Sequence, residues 1–439
     1  MPHSSHSALT SAPLKPSILT SAPLASATLR AGVPNHLHAS SLFEVSAVTA
    51  EIAKTLAATA VERDRAGGHA AAERELLRDS GLLTLSIPAE YGGLGAPWPQ
   101  IFQTIRDLAK VDSALAHVFA FHHLQLAGVQ LYGDKTQQRT FFTNTVNNRW
   151  FWGNALNPLD KRVVAHTLAD TATEAITETS DGEYKINGIK SFSSGSVGSD
   201  LLTISAWHEA SQSPLIAAIP SNRSGIQINP DWDAFGQRQT DSGNVVFTNV
   251  ILHKGEILLA PGTAATAQAS VRSQVAQLIM TNLYLGIGLG AFDEARRYSR
   301  DEARPWFASG VQSTVDDPYI QHRFGSLWLL LRPAIALADQ AAEHLQRVWN
   351  KGEAITVQDR GELAISVAEA KCLSHQAGLE VSSQMFDITG ARSTSARYGC
   401  DRFWRNVRVH TLHDPIDYKL RDLGRYVLSG SLPEPTPYS

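Results

Sequence analysis

The sequence predicts an α+β chain in which a small β domain separates two helical parts. Three observations predict it. Apolar residues recur at helical spacing up to about residue 147 and again from about residue 262. Between those limits, short runs rich in Val, Ile, Thr and aromatics are broken by turn pairs. The chain has 439 residues, 43% hydrophobic and 18% charged, enough for two or three domains with sizeable cores.

Residues 1–40 stand apart. They contain no acid, carry only Lys15 and Arg30 as strong bases, and repeat the run Leu9–Leu14 as Leu19–Leu24. That low complexity predicts a disordered tail. An organelle transit peptide would also be Ser-rich and acid-poor, but richer in arginine. From 41 to 150 the pattern is that of an N-terminal helical domain. Val48, Ile52, Leu56 and Val61 share near-helical spacing, stretches 70–83 and 97–111 continue it, and a helix over Ser113–Gly128 carries His117, His122 and His123. Pro88, Gly92, Gly93 and Gly95 mark the joints. From 151 to 260 the period becomes that of a central β domain, with strands expected over Thr173–Thr179, Tyr184–Ile189, Leu201–Trp207, Leu215–Pro220 and Asn244–Leu252. The turns Asp181-Gly182, Asn187-Gly188 and Asp241-Ser242-Gly243 divide them. From 261 to 439, four helical stretches follow: Gln268–Ala303, Tyr319–Lys351, Val357–Thr389 and Cys400–Leu428.

Lys+Arg 38 against Asp+Glu 42 leaves a net charge of −4, with no basic excess to favour nucleic acid or an anionic membrane. Two cysteines, Cys372 and Cys400, make no disulfide framework, so a reducing, cytoplasmic setting is expected. No apolar run approaches the roughly 18–20 residues of a membrane span, and no membrane partner is expected.

Several constellations carry possible chemistry. Gly286–Ala291 loosely matches a dinucleotide fingerprint but lies inside a helical pattern, where small residues instead let two helices approach. His410 and His413 are expected on one helix face next to Asp414, with Pro415 breaking the helix; acid–base work or capping of the helix end fits them better than a metal, since no third ligand is visible. Arg304-Pro305-Trp306 and Gly390-Ala391-Arg392 place an arginine beside a chain break, where it could pair with a phosphate or simply be solvated. Trp150, Trp152, Phe192 and Trp232 could pack in a core or flank a flat ligand. No metal site is expected.

Specific segments go further. Ile87-Pro88-Ala89-Glu90-Tyr91-Gly92-Gly93-Leu94-Gly95, the run Asn187–Gly195, and Gly236-Gln237-Arg238-Gln239-Thr240 followed by Phe247–Val250 resemble the acyl-CoA dehydrogenase superfamily in order and spacing. Ala58–Gly68, Gly195–Leu202, Ala303–Trp306, Arg397–Arg408 and Leu412–Pro415 resemble more closely its FMN-dependent monooxygenase branch, typified by dibenzothiophene monooxygenase. The resemblance implies a helical domain, a small β domain and a C-terminal four-helix bundle, usually assembled as a homotetramer. It implies a two-component enzyme that takes reduced FMN (FMNH2) from a separate NAD(P)H-dependent flavin reductase. O2 would react through a flavin C4a-hydroperoxide to oxidise an organosulfur or heteroaromatic substrate, with S-oxidation favoured. C- or N-hydroxylation of an indole-like ring is the nearest variant, and an FAD-dependent acyl-CoA dehydrogenase the main rival; a non-catalytic flavin-binding protein is a third reading. Position by position, the resemblance assigns His413, His117 and Ser194 to catalysis. It gives Asn154, Ser194 and Trp232 to the flavin ring, and Arg304 and Arg392 to the FMN phosphate across a subunit boundary. Phe121, Phe192 and His410 would line the substrate pocket. Phe121 stands where the sulfur-oxidising member has a tyrosine. The dehydrogenase rival is weakened because the place of its glutamate base falls at Asp414.

Overall fold

The computed structural model describes residues 37–168 and 182–439. Val48, Ile52 and Leu56 bury one side of α1 (Val45–Ala57), which packs on α4 (Trp98–Ala109). Between them lie α2 (Ala60–Ala66) and α3 (Ala71–Asp79). The next helix, α5 (Ser113–Tyr132), is apolar almost all round, as expected for a helix buried on every side, and Asp112 caps it by accepting from the Leu115 N–H at 3.0 Å. The helix α6 (Lys135–Asn148) completes the group.

The β region forms one sheet. Its strands are β1 (Trp152–Ala155), β2 (Val163–Thr167), β3 (Gly182–Lys190), β4 (Leu201–His208), β5 (Ser213–Pro220), β6 (Ile226–Ile228), β7 (Val245–His253) and β8 (Ile257–Leu259). The order is β6-β7-β3-β2-β4-β5-β8, with β1 parallel to the first half of β4, Trp152 opposite Leu201 through Ala155 opposite Ile204. Four of the expected strands match β3, β4, β5 and β7; the fifth, Thr173–Thr179, and the turn residue Asp181 lie outside the described residues. Sequence reading missed β1, β2, β6 and β8. Each has five residues or fewer, and β1 is buried throughout, so it shows no alternation.

The C-terminal helical domain is built from α7 (Ala267–Asp301), α8 (Pro318–Trp349) and α9 (Val357–Thr389), with α10 (Asp401–Thr411) packed on α7 and α9, and α11 (Ile416–Ser429) on α9. The single helix expected over Cys400–Leu428 is therefore two. Pro415 disfavours helical backbone at Asp414, and the chain turns between Thr411 and Ile416. This corrects one expectation: His413 lies in that turn, not on a shared helix face with His410. A second correction concerns α7, which is long and apolar enough to cross a membrane. In this fold 89% of its most apolar window is buried inside the protein. The Gly286–Gly290 run is a packing device. A Cβ at Gly286 would lie 2.5 Å from the Ala109 Cβ, and one at Gly290 would lie 2.1 Å from the Lys110 carbonyl oxygen, so α7 crosses the end of α4 in backbone contact.

Candidate active site

The inner side of α5 presents His117. Its ring stacks on Phe121, one turn later, with centroids 4.1 Å apart, and faces His410 of α10 at 4.8 Å. Both imidazoles are buried, and neither nitrogen of His117 nor Nε2 of His410 has a partner among the described residues. Burial, with lesser repulsion from His413, pulls His410 down to about 3. Burial, with repulsion from His410 and His413, pulls His117 well below its ordinary value. Both stay neutral near pH 7, each with one N–H and one lone pair to offer. The neighbouring pair differs in being hydrogen-bonded, although His123 Nε2 also lacks a partner among the described residues. His122 is structural, its Nε2 on the Leu83 carbonyl at 2.8 Å and its Nδ1 accepting from the Trp152 N–H at 3.1 Å. His123 meets the Ser86 hydroxyl at 2.8 Å.

His413 is held from behind. Its Nδ1 meets Asp414 at 3.0 Å, and Lys371 of α9 binds both Asp414 oxygens at 2.6 and 2.7 Å and also reaches Gln277 of α7. Lys371 and Asp414 are buried, while the His413 side chain is 39% exposed. Burial opposes ionisation of Asp414, but the bonds from His413 and Lys371 outweigh it and hold the carboxyl well below its usual range. Tyr438 lies edge-on to the His413 ring at 5.6 Å.

The β domain supplies a polar edge. Asn154 on β1 donates its backbone N–H to the Ser194 carbonyl at 2.9 Å, and the Ser194 hydroxyl joins a buried chain to Ser242 at 2.8 Å and on to Thr240 at 2.7 Å. Trp232 donates to the Gln237 carbonyl at 2.9 Å and stands edge-on to the exposed Phe192 at 6.0 Å. Phe192, Gln237 and Asp241 all hold positive φ (57°, 55° and 49°), a strain that non-glycine residues seldom accept and that clusters where backbone must be posed. Buried Arg74, pulled down to about 10 by burial, braces these loops through Asp241 at 3.1 Å and the Gly195 carbonyl at 3.1 Å. The Gln237 loop is tied to α5 through the Ser113 hydroxyl at 3.0 Å and to α10 through Asn406 at 2.7 Å.

His117, Phe121 and His410 are thus in direct ring contact, and the His413 backbone N–H donates to the His410 carbonyl at 3.0 Å. Asn154 is bonded to Ser194, and Trp232 faces Phe192; Gly195 lies against Val118, beside His117. Arg304 and Arg392 are not part of that cluster. Both are exposed, after α7 and α9, with no ion pair among the described residues. Sequence reading missed Arg74, Gln125, Arg272 and Lys371, which carry no motif and belong to the site only through their partners. Among the described residues no group of three His, Cys, Asp or Glu could hold a metal.

The chain matches the family profiles described as acyl-CoA dehydrogenase, N-terminal domain over residues 45–149, middle domain over 164–250 and C-terminal domain over 278–418. It is 46% identical over 394 residues to the probable FMNH2-dependent monooxygenase SfnC of Pseudomonas putida, covering 90% of this chain and 97% of that protein. This chain belongs to the FMNH2-dependent monooxygenases of the acyl-CoA dehydrogenase superfamily. Dibenzothiophene monooxygenase of Rhodococcus qingshengii is 45% identical to this monooxygenase over 399 residues, 89% of this chain and 94% of that one. The solved structure of TdsC from Paenibacillus sp. A11-2 with FMN and indole superposes with a TM-score of 0.85 at 40% identity, covering 90% of this monooxygenase and all of that chain (100%).

Proposed function

We propose that this FMNH2-dependent monooxygenase takes reduced FMN from a separate NAD(P)H-dependent reductase and uses O2 to oxidise an organosulfur or heteroaromatic compound, with oxidation at sulfur favoured. The observation that carries this reading is the buried imidazole pair, with three ring nitrogens unpartnered among the described residues. A buried polar atom left unmet costs about 1–3 kcal/mol, so a ligand with polar groups is the natural partner. The residues fit a flavin: Asn154 and Ser194 offer a polar edge, and Trp232 an aromatic flank. Reduced FMN bound there would activate O2 and supply one oxygen atom to the substrate.

The chain's own work is to keep the site dry and to control protons. His117 and His410 remain neutral, so they add hydrogen-bonding groups without adding a charge that would draw in water. His413, with Nδ1 turned to Asp414, keeps Nε2 for the reacting region. Phe121 makes the wall beside His117 apolar. Names of relatives support the substrate class, one acting on dibenzothiophene. The indole in the TdsC complex, together with the hydroxyl-free wall at Phe121, favours hydroxylation of an indole-like ring as the second reading.

The same reading makes the enzyme a homotetramer in which Arg304 and Arg392 hold the FMN phosphate of a neighbouring copy. Its support is that both guanidiniums are exposed and unpaired among the described residues. Trp306 and Phe307 beside Arg304 are 69% and 87% exposed. Cys372 and Cys400, both free, favour a cytoplasmic setting.

His413→Ala tests the proposal. With FMN, a reductase and O2, the variant is expected to bind FMN as the parent does, to form no sulfoxide from dibenzothiophene, and to release the reducing equivalents as hydrogen peroxide. Normal coupling of reduced flavin to product would refute the role of His413. Hydroxylated indole without any sulfoxide from the parent enzyme would decide for the second reading.

A further inference from the structure

The orientation of the Asn154 side chain is set by a hydrogen-bond chain ending on a group that can only donate. Arg272, near the start of α7, donates from Nη2 to Gln125 Oε1 at 3.0 Å, and Gln125, fully buried on α5, donates from Nε2 to Asn154 Oδ1 at 3.2 Å. The Leu156 backbone N–H points to the same Oδ1 at 3.3 Å. A guanidinium has no acceptor, so Gln125 must turn its oxygen to Arg272 and its amide nitrogen to Asn154. Asn154 must then answer with oxygen. Its Nδ2 is left without a partner among the described residues, and neither amide can flip without setting two donors or two acceptors face to face. The room for this device comes from α5 itself: a Cβ at Gly128, one turn beyond Gln125, would lie 3.2 Å from Arg272 Nε, so any larger residue would crowd the guanidinium.

We infer that Arg272 and Gln125 are positioning residues that turn Asn154 so that Nδ2 donates to an acceptor on the flavin ring, a carbonyl oxygen or an unprotonated ring nitrogen. A reversed amide would present oxygen and select a ring N–H instead. The inference rests on the reading of Asn154 as a flavin contact. A donor in this position favours reduced flavin most, because reduction adds electron density to the carbonyl-bearing ring.

The test is the dissociation constant of FMN and of reduced FMN, titrated anaerobically by fluorescence on the full chain. Asn154→Ala is expected to weaken reduced FMN by roughly tenfold, the size of one net hydrogen bond. Gln125→Glu can pair with Arg272 and so keep the fold, but it offers oxygen where Asn154 needs a donor; a similar loss is expected. Arg272→Lys retains an obligate donor and should bind reduced FMN more tightly than Arg272→Gln, whose amide can face either way. Wild-type affinity in Asn154→Ala would remove the underlying flavin contact. A loss in Asn154→Ala with wild-type affinity in Gln125→Glu would overturn the inference alone. If Gln125→Glu does not fold, equal affinities in Arg272→Lys and Arg272→Gln overturn it as well.

Discussion

His122 and His410 are pulled down to about 3 and His117 and His123 well below their ordinary value, in each case chiefly by burial. The folded chain thus keeps four imidazoles neutral that the unfolded chain protonates below about 6.5. Between these limits the unfolded state binds more protons, so stability falls as pH falls. Each such histidine contributes a slope of about 1.4 kcal/mol per pH unit within its window. The melting temperature of the flavin-free protein should therefore drop steadily from pH 7 to pH 4.5; a flat profile would show that these histidines are not buried neutral. Lys371 makes a different demand. Lys371→Met strands the buried Asp414 and should cost about 3–5 kcal/mol in denaturant titration. Adding Asp414→Asn should recover most of that stability, while peroxide release stays high because His413 has lost its carboxylate partner. Recovery of both together would mean that the Lys371–Asp414 pair serves the fold only.

Among the elements, the Gln237 loop and α10 bring the β domain to the histidines. A Cβ at Gly236 would lie 2.2 Å from the Arg405 carbonyl oxygen and 2.9 Å from the Asn406 nitrogen, so the loop can lie on α10 only with glycine there. Gly236→Ala must lift the loop and loosen the bond from the Gln237 N–H to Asn406. The expected result is a loss of about 1–3 kcal/mol in unfolding free energy and weaker FMN binding, read by calorimetry and by flavin fluorescence. The long helices were legible because their apolar spacing runs for many turns: Val357–Thr389 is bounded as its pattern indicates. The break between α10 and α11 was half legible. Pro415 announces it, but the pattern continues on both sides, and only the turned backbone shows that His413 leaves the helix face.

In the whole molecule, the reading that Arg304 and Arg392 serve a neighbouring copy has a direct consequence. Chains carrying Arg304→Ala and chains carrying His413→Ala should each be inactive alone. Mixed oligomers refolded from equal amounts should regain about a quarter of the parent activity, the fraction of sites drawing each intact residue from a different chain. No recovery would place both residues in one chain's site. The exposed hollow of about 540 Å³ between α7 and α8, lined by Phe292, Phe324 and Trp328, is not lined by any residue assigned to the flavin or substrate.

The class of fold, the long helices and four of the strands were legible in the amino-acid order because they follow from periodicity and turn chemistry; β2, in the middle of the sheet, was not, and the residues expected to meet a flavin came from the resemblance to FMN-dependent monooxygenases. Tertiary structure alone decided which faces meet. Periodicity shows that α5 and α9 are buried but not that His117 faces His410, that Lys371 reaches Asp414, or that Arg272 turns Asn154 through Gln125. Those are contacts between distant segments, and they depend on how α7, carrying Gly286 and Gly290, is allowed to cross its neighbours at backbone distance.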